Sequence, residues 1–190
     1  MSRNQSTITL ASGHRLHIRP LRRGEDGTVR ELFARLSLPT RYLRFFLPLP
    51  VLSDSLLRMI GAGDEPGRIA LVAETDDIRP QVVALGNVAP ADDGRGEVGL
   101  VVADAWQRQG IGSAVAGRLL HDADGAGYRG FVVYSLLGNP AVRPLLARVA
   151  WCPPGRTTVC RRPRLFGVGQ SRRRPASGVR IGPRERTKEC

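Results

Sequence analysis

Two glycines, Gly110 and Gly112, lie where an apolar run gives way to a helical pattern. The preceding run, residues 97–104, has the composition of a strand. After the glycines, apolar residues recur at helical spacing on one face: Ile111, Val115, Leu119 and Ala123. The first N–H groups of a helix have no intrahelical partner, and the helix dipole adds positive potential there. Because glycine has no Cβ, a phosphate group could approach this turn closely.

The polar residues of the turn narrow the choice of phosphate ligand. The spacing is neither Gly-x-x-x-x-Gly-Lys-Ser/Thr nor Gly-x-Gly-x-x-Gly, which disfavours an ATP or GTP P-loop and a dinucleotide fold. An ordinary strand–helix turn is the alternative to a binding site. We predict a phosphate or pyrophosphate site in which glycines and polar donors act together: Gln107, Arg108, Gln109, Gly110, Ile111, Gly112 and Ser113.

The segment Gln107-Arg-Gln-Gly110-Ile-Gly112 resembles the Gln/Arg-x-x-Gly-x-Gly/Ala signature of the GNAT N-acetyltransferases. A second segment, residues 37–46, resembles a segment of the GNAT branch that acetylates protein lysines; its alternative role is core packing with snorkelling arginines. The resemblance covers residues 15–151. It implies an α/β (α+β) fold, the GNAT acyl-CoA N-acyltransferase fold, in which helices flank a mixed, mostly antiparallel sheet.

The resemblance implies transfer of an acetyl group from acetyl-CoA to a primary amine, on a protein lysine or a small molecule. Glu97 would be the general base, because a lysine with a pKa of about 10.4 is almost fully protonated at neutral pH. The alternative for Glu97 is a solvent-facing strand residue. The N–H of Leu100 or Val101 would polarise the thioester carbonyl. The backbone of Val101, Val102 and Ala103 would pair with the pantetheine arm like an added strand.

The segment after the last predicted strand departs from the family pattern. Asn139 would contact the pantetheine or cap the next helix. Leu146 stands where many family members have a tyrosine that acts as general acid, and Ala150 replaces the glycine that normally caps the helix. Pro144 inside a helix would cost about 3 kcal/mol, unless the helix begins near Arg143. A degenerate domain that binds acetyl-CoA without catalysis is therefore a rival hypothesis.

Hydrophobic patterning predicts the elements that hold this site. We expect the polar residues 1–13 to be frayed at their start. Helices are expected after Glu25 and Asp26 and after a cap at Ser53 or Asp54. Strands are predicted at residues 15–19, 69–74, 81–89, 97–104 and 131–135, and the middle three form an antiparallel meander.

Composition limits the broad class of the protein. A chain of 190 residues is long enough for one domain with a buried core. No apolar run reaches the roughly 18 residues that span a bilayer, and no signal-peptide core is present, so we expect no membrane contact and a cytoplasmic location. Cys152, Cys160 and Cys190 have spacings that suit neither zinc nor a redox pair. We expect no metal.

The basic charge is concentrated near the end of the sequence. Residues 1–150 carry 18 arginines and 15 acidic residues, a net charge of +3, whereas residues 151–190 carry 11 basic and 2 acidic residues, a net charge of +9. We therefore divide the chain into a GNAT domain at 1–151 and an Arg/Pro/Gly-rich segment at 152–190.

Three interpretations of the segment 152–190 compete. It is a disordered basic arm able to bind nucleic acid or an acidic partner, a closing hairpin with strands at 157–160 and 164–168, or the product of a reading-frame change near codon 150. We expect it to be poorly ordered or frame-altered, and we expect nucleic-acid binding only through it.

Overall fold

A computed structural model describes residues 5–61, 66–91, 94–136, 139–148 and 157–162. The strands are β1 Ser6–Thr9, β2 Arg15–Pro20, β3 Ile69–Thr75, β4 Val82–Pro90, β5 Gly96–Val102, β6 Phe131–Leu136 and β7 Thr157–Arg162. The helices are α1 Asp26–Ala34, α2 Leu38–Phe45, α3 Asp54–Ile60, α4 Ile111–Gly125 and α5 Val142–Arg148. None of the described helices has the length and apolar composition needed to cross a bilayer.

The described strands form one seven-stranded sheet in which spatial order follows chain order, from β1 to β7. Neighbouring strands from β1 to β5 are antiparallel, and β6 is parallel to both β5 and β7. The parallel step from β5 to β6 requires a crossover, which α4 provides. The predicted mixed, mostly antiparallel sheet and the meander β3–β4–β5 are confirmed.

Helices cover the sheet on two faces. On one face, α4 packs against β3, β4 and β5, and its buried residues include Val115 and Leu119, both 0% exposed. On the other face, α1 and α3 pack on β4, and Val29 and Leu57 join the core there. Both faces of β4 are therefore buried, which explains its nearly continuous apolar sequence.

The ends of α2 and α3 depend on serine caps. The Ser37 hydroxyl accepts a hydrogen bond from the Thr40 N–H (3.3 Å), and the Ser53 hydroxyl accepts one from the Leu56 N–H (3.4 Å). Side-chain oxygens at this position satisfy one of the unpaired N–H groups of the first turn. The structure therefore selects Ser53 over Asp54 as the cap of α3.

Residues 6–9 form a regular strand that the sequence analysis does not predict, and the start of the chain, residues 1–4, lies outside the described residues. The strand pairs with β2 from Ser6↔Ile18 to Thr9↔Arg15, and Ile8 packs against the core on the α4 side. Backbone pairing and one apolar contact stabilise a segment whose composition is polar, and composition alone does not reveal either of them.

Pro144 is tolerated because of where α5 begins. The first helical hydrogen bond runs from the Leu145 N–H to the Ala141 carbonyl (3.2 Å), so Pro144 is the third helical residue, where no intrahelical N–H donor is needed. The strand expected at residues 157–160 is found as β7, parallel to β6. Residues 164–168 and Ala150 lie outside the described residues.

Candidate functional site

The strands β5 and β6 separate after a short contact. They pair only at Gly96↔Phe131, Glu97↔Val132 and Val98↔Val133, whereas β5 continues to pair with β4 up to Val102. A cavity of about 600 Å³ lies where the strands part. Its walls come from β5, β6, α2, α5 and the N-terminal half of α4. We refer to the space between β5 and β6 beyond Val98 as the gap.

The register of β5 determines which of its main-chain groups face the gap. The Ala103 N–H donates to the Val83 carbonyl on β4 (2.8 Å). Because hydrogen bonding alternates along an antiparallel pair, Val101 also bonds to β4, and Leu100 and Val102 direct their N–H groups toward the gap. The Ala103 carbonyl accepts from the Trp106 N–H (2.8 Å). The predicted main-chain roles of Val101 and Ala103 are therefore corrected, and the donor positions are Leu100 and Val102.

The turn before α4 presents unpaired N–H groups to the cavity. Gly110 has φ of 86°, a left-handed conformation that favours glycine, and no side chain caps the helix. The first intrahelical bond runs from the Ala114 N–H to the Gly110 carbonyl (3.1 Å), which leaves residues 111–113 without intrahelical acceptors. Gly110, Gly112 and Ser113 line the cavity, and the Ile111 side chain is buried in the core.

The two glutamines of the turn stabilise its shape. Gln107 Nε2 donates to the Val102 carbonyl (3.0 Å) and to Thr40 Oγ1 (3.3 Å), and Gln109 Nε2 donates to the Ala105 carbonyl (3.2 Å). These bonds hold both side chains against the fold, and their predicted role as additional anion donors stays a prediction. Arg108 is exposed, lines the cavity and has φ of 64°, an uncommon conformation for a residue with a side chain.

The wall of the cavity formed by β5 and α2 carries charged side chains. Glu97 is exposed and lines the cavity; because side chains alternate along a strand, it lies on the same face of β5 as Gly99 and on the side of α2. Arg44 of α2 reaches over Gly99 and donates from Nη2 to Asn87 Oδ1 on β4 (2.5 Å). Burial lowers the pKa of the Arg44 guanidinium to about 10, against the opposing attraction of the Glu97 carboxylate. Arg44 therefore remains a cation at neutral pH.

A hydrogen-bonded clasp joins the two walls. Asp104 accepts from the Ser37 N–H (2.9 Å), the Ser37 hydroxyl (2.6 Å) and the Thr40 hydroxyl (2.7 Å). Partial burial acts to raise the pKa of the Asp104 carboxyl, but these hydrogen bonds outweigh it and lower that pKa below its ordinary value. Asp104 thus fixes the N-terminus of α2 against the segment that leads from β5 to α4.

The third wall comes from β6 and α5. Asn139 lines the cavity, and its Oδ1 accepts from the Ala141 N–H (3.1 Å), an arrangement that caps α5 and leaves the predicted pantetheine contact a prediction. Leu146, at the position where the resemblance implies a tyrosine, also lines the cavity. Tyr134 of β6 lines it as well and was not anticipated. Its register relative to Glu97 depends on the parallel pairing of β5 with β6, which local sequence patterns do not reveal.

No group of three or more His, Cys, Asp or Glu residues in the described ranges is arranged to hold a metal ion.

Sequence comparison identifies one family. The sequence model of the acetyltransferase (GNAT) family matches residues 33–151. Comparison with curated proteins gives no match.

Solved structures of similar fold include proteins named as GNAT-family or N-acetyltransferase proteins. The GNAT domain of S. lividans PAT superposes with a TM-score of 0.68 at 23% identity, over 77% of this chain and 86% of that one. An N-acetyltransferase from Staphylococcus aureus Mu50 gives 0.57 at 17% identity, over 70% and 81%. A GNAT family acetyltransferase from Brucella melitensis, solved in complex with acetyl-CoA, gives 0.50 at 26% identity, over 65% and 78%.

Proposed function

Because the chain belongs to the GNAT acetyltransferase family, we propose that its cavity transfers an acetyl group from acetyl-CoA to a primary amine, with Glu97 as the general base. The observation that carries this proposal is the gap between β5 and β6. It brings free main-chain donors, the N-terminus of α4 and an exposed carboxylate to one cavity. We call the α4 side of the gap the donor side, after the acetyl donor, and the α2 side the acceptor side, after the amine that accepts the acetyl group.

The donor side fits the chemistry of acetyl-CoA. The N–H groups of residues 111–113 would bind the pyrophosphate, with the positive end of the α4 dipole behind them. Partly exposed apolar side chains that line the cavity suit the pantetheine arm: Leu100, Val102 and Leu145. The Val102 N–H would pair with an amide of that arm, and the Leu100 N–H would polarise the thioester carbonyl.

On the acceptor side, Glu97 would accept a proton from the ammonium group, directly or through a water molecule. An amine with a pKa of about 10.4 is a poor nucleophile at neutral pH until that proton leaves. Leu146 has no proton to donate to the leaving thiolate. A thiol of ordinary pKa, about 8.5, leaves well enough for water to supply that proton. Transfer therefore needs no protein acid at position 146.

The acceptor that we favour is a lysine of another protein. The segment with the family-like sequence forms α2, and its Leu43 and Phe46 border the cavity. Apolar side chains continue from there onto the surface, since Leu47 is 54% exposed and Val51 is 68% exposed. Such a surface beside a site suits contact with a protein substrate. A small amine is the alternative acceptor.

Two measurements on the purified full chain test the proposal. Calorimetry should show saturable binding of acetyl-CoA, and labelled acetyl-CoA should transfer its acetyl group to a lysine protein or to small amines. If the folded protein shows no saturable binding, the acetyltransferase proposal fails. Tight, salt-sensitive binding of DNA or RNA that disappears on truncation at residue 151 would instead support the basic-arm hypothesis.

A further inference from the structure

The Arg44 guanidinium lies in a space that is open only because residue 99 is a glycine. A Cβ added to Gly99 would clash with Nη2 and Cζ of Arg44. The guanidinium therefore lies directly against the main chain of β5. Gly99 is opposite Asn87 in the β4–β5 register, and Asn87, which is 6% exposed, accepts the Nη2 hydrogen bond. Gly99 and Asn87 together fix the cation at the cavity wall.

Most of the hydrogen-bonding capacity of this guanidinium is unused. Nε is fully enclosed and has no hydrogen-bond partner among the described residues. Within the same ranges, the bond from Nη2 to Asn87 is the one hydrogen bond that the structure gives to the group. Arg44 and Glu97 attract each other without forming an ion pair. A charged donor that is buried without a partner is costly. Because Nε is enclosed, a ligand in the cavity would meet the guanidinium through its Nη groups.

The geometry relates this cation to the proposed base. Glu97 and Gly99 are two residues apart on one face of β5, about 7 Å along the strand. A ligand that reaches both positions has its amine nitrogen near Glu97 and an acceptor oxygen near Arg44. With about 3 Å for each hydrogen bond, the two groups of such a ligand lie close together in space.

Resting on the function proposed above, we infer that Arg44 binds a carboxylate of the acceptor. The acceptor class is then a primary amine with a carboxylate held close to its nitrogen in space. A guanidinium is well suited to this role, because its planar array of N–H donors matches a carboxylate. The carboxylate belongs either to a free amino acid or to an acidic residue beside a substrate lysine, and the chemistry recognised is the same.

Paired acceptors that differ only in the carboxylate test this inference. Lysine is compared with lysinamide, β-alanine with β-alaninamide, and a lysine peptide containing a neighbouring Asp with the same peptide containing Asn. For each pair, kcat/KM is measured at saturating acetyl-CoA, and the acid-to-amide ratio is calculated. Because the two members of a pair differ in amine basicity, the informative quantity is how this ratio changes between protein variants.

Two variants remove the recognition in different ways. Arg44→Met deletes the cation, and Asn87→Asp keeps the shape of its partner but supplies an internal carboxylate that competes with the ligand. Both should lower the acid-to-amide ratio by about 10- to 100-fold, the effect of one charge-assisted hydrogen bond. Arg58→Met is the matched control, since Arg58 is an exposed residue of α3 outside the cavity lining. It should leave the ratio unchanged.

The outcomes separate this inference from the proposed function. If the wild-type protein binds no acetyl-CoA or acetylates no amine, the proposed function fails. If it acetylates amines with a ratio that neither Arg44→Met nor Asn87→Asp changes, only the carboxylate inference is overturned. A fall in the ratio for the free amino acids assigns the carboxylate to a small acceptor, and a fall confined to the peptide pair assigns it to an acidic neighbour. If Arg44→Met does not fold by circular dichroism, Asn87→Asp decides the question.

Discussion

On the donor side of the gap the groups that we propose for ligand binding belong to the main chain, whereas on the acceptor side they are charged side chains. The donor side offers the N–H groups of Leu100, Val102 and residues 111–113. The acceptor side offers Glu97 and Arg44, which come from β5 and α2. A main-chain site depends on backbone conformation, and a side-chain site depends on which elements the fold brings together.

The largest expected effect is on the acceptor side. Glu97→Gln removes the proposed base and keeps the size of the side chain, so kcat/KM should fall by about 10²- to 10⁴-fold. Calorimetry should show acetyl-CoA affinity unchanged, since the donor side does not use this carboxylate. Glu31→Gln, at an exposed position of α1, is the control and should retain full activity. Equal activity of Glu97→Gln and wild type would show that Glu97 is only a surface residue.

The next largest effect concerns the donor side. A Cβ at Gly112 would make ordinary contacts with Leu100 Cδ2 (3.5 Å) and Val102 Cγ2 (3.6 Å), so the base of a side chain is accommodated there, in keeping with a Gly/Ala position. The longer side chain of Gly112→Leu would extend into the cavity where the coenzyme is proposed to bind. Overpacking a close contact costs about 1–3 kcal/mol, so calorimetry should give a roughly tenfold or larger rise in the Kd for acetyl-CoA.

Gly117→Leu is the matched control for this prediction. Gly117 is also in α4, but an added Cβ there meets nothing within 4 Å, and the residue is outside the cavity lining. It should stabilise the helix without changing the affinity. Unchanged binding by Gly112→Leu would place the coenzyme elsewhere.

A smaller effect is expected where the two sides are joined. Asp104→Asn weakens the hydrogen bonds to Ser37 and Thr40 and should lower the free energy of unfolding by about 1 kcal/mol, after allowance for solvent screening. Because the pKa of Asp104 is lowered by folding, this stabilisation is present above the ordinary carboxyl pKa of 3.8 and is lost as the pH falls through the lower folded-state value.

Urea unfolding of wild type and Asp104→Asn at several pH values measures this difference, which should be constant near neutrality and shrink in strong acid. Asp77→Asn, at an exposed position of the β3–β4 turn, should show no such difference. A difference that persisted in full below the folded-state pKa would contradict the role of the Asp104 charge.

The smallest effect is expected in α5. Pro144→Ala should change the free energy of unfolding by less than about 0.5 kcal/mol, because the third helical residue needs no N–H donor. Acetyl-CoA affinity should also be unchanged. A gain of about 3 kcal/mol in a thermal or urea unfolding experiment would mean that the helix begins earlier than Val142.

The difference between the two sides also explains what the sequence could predict. The strand at Glu97, the meander that contains it and the helix after the glycine turn were predictable, because apolar periodicity and glycine position indicate local conformation. The same local signals did not predict β1 or α2. They did not distinguish Leu100 from Val101 as the donor, since that choice depends on the register of β5 against β4.

The acceptor side was less predictable. The contact of Arg44 with Gly99 and Asn87 joins three elements that are far apart in the sequence. The sequence of the turn predicts Gln107 and Gln109 as ligand donors, and the structure shows that both side chains also bond to carbonyls of the fold. Contacts of this kind depend on tertiary structure, and local sequence patterns do not predict them.

The clasp at Asp104 connects the site proposed for acetyl-CoA to the helix beside the site proposed for the amine. Thr40 bonds both to Asp104 and to Gln107, so α2 is tied to the turn that meets acetyl-CoA. Any adjustment of that turn when the coenzyme binds is transmitted to the helix that borders the amine. The affinities for the two substrates are then thermodynamically linked, each altering the other by the same factor. We expect the amine to bind more tightly to the coenzyme-loaded protein than to the free one, and a binary titration compared with a ternary one measures that factor.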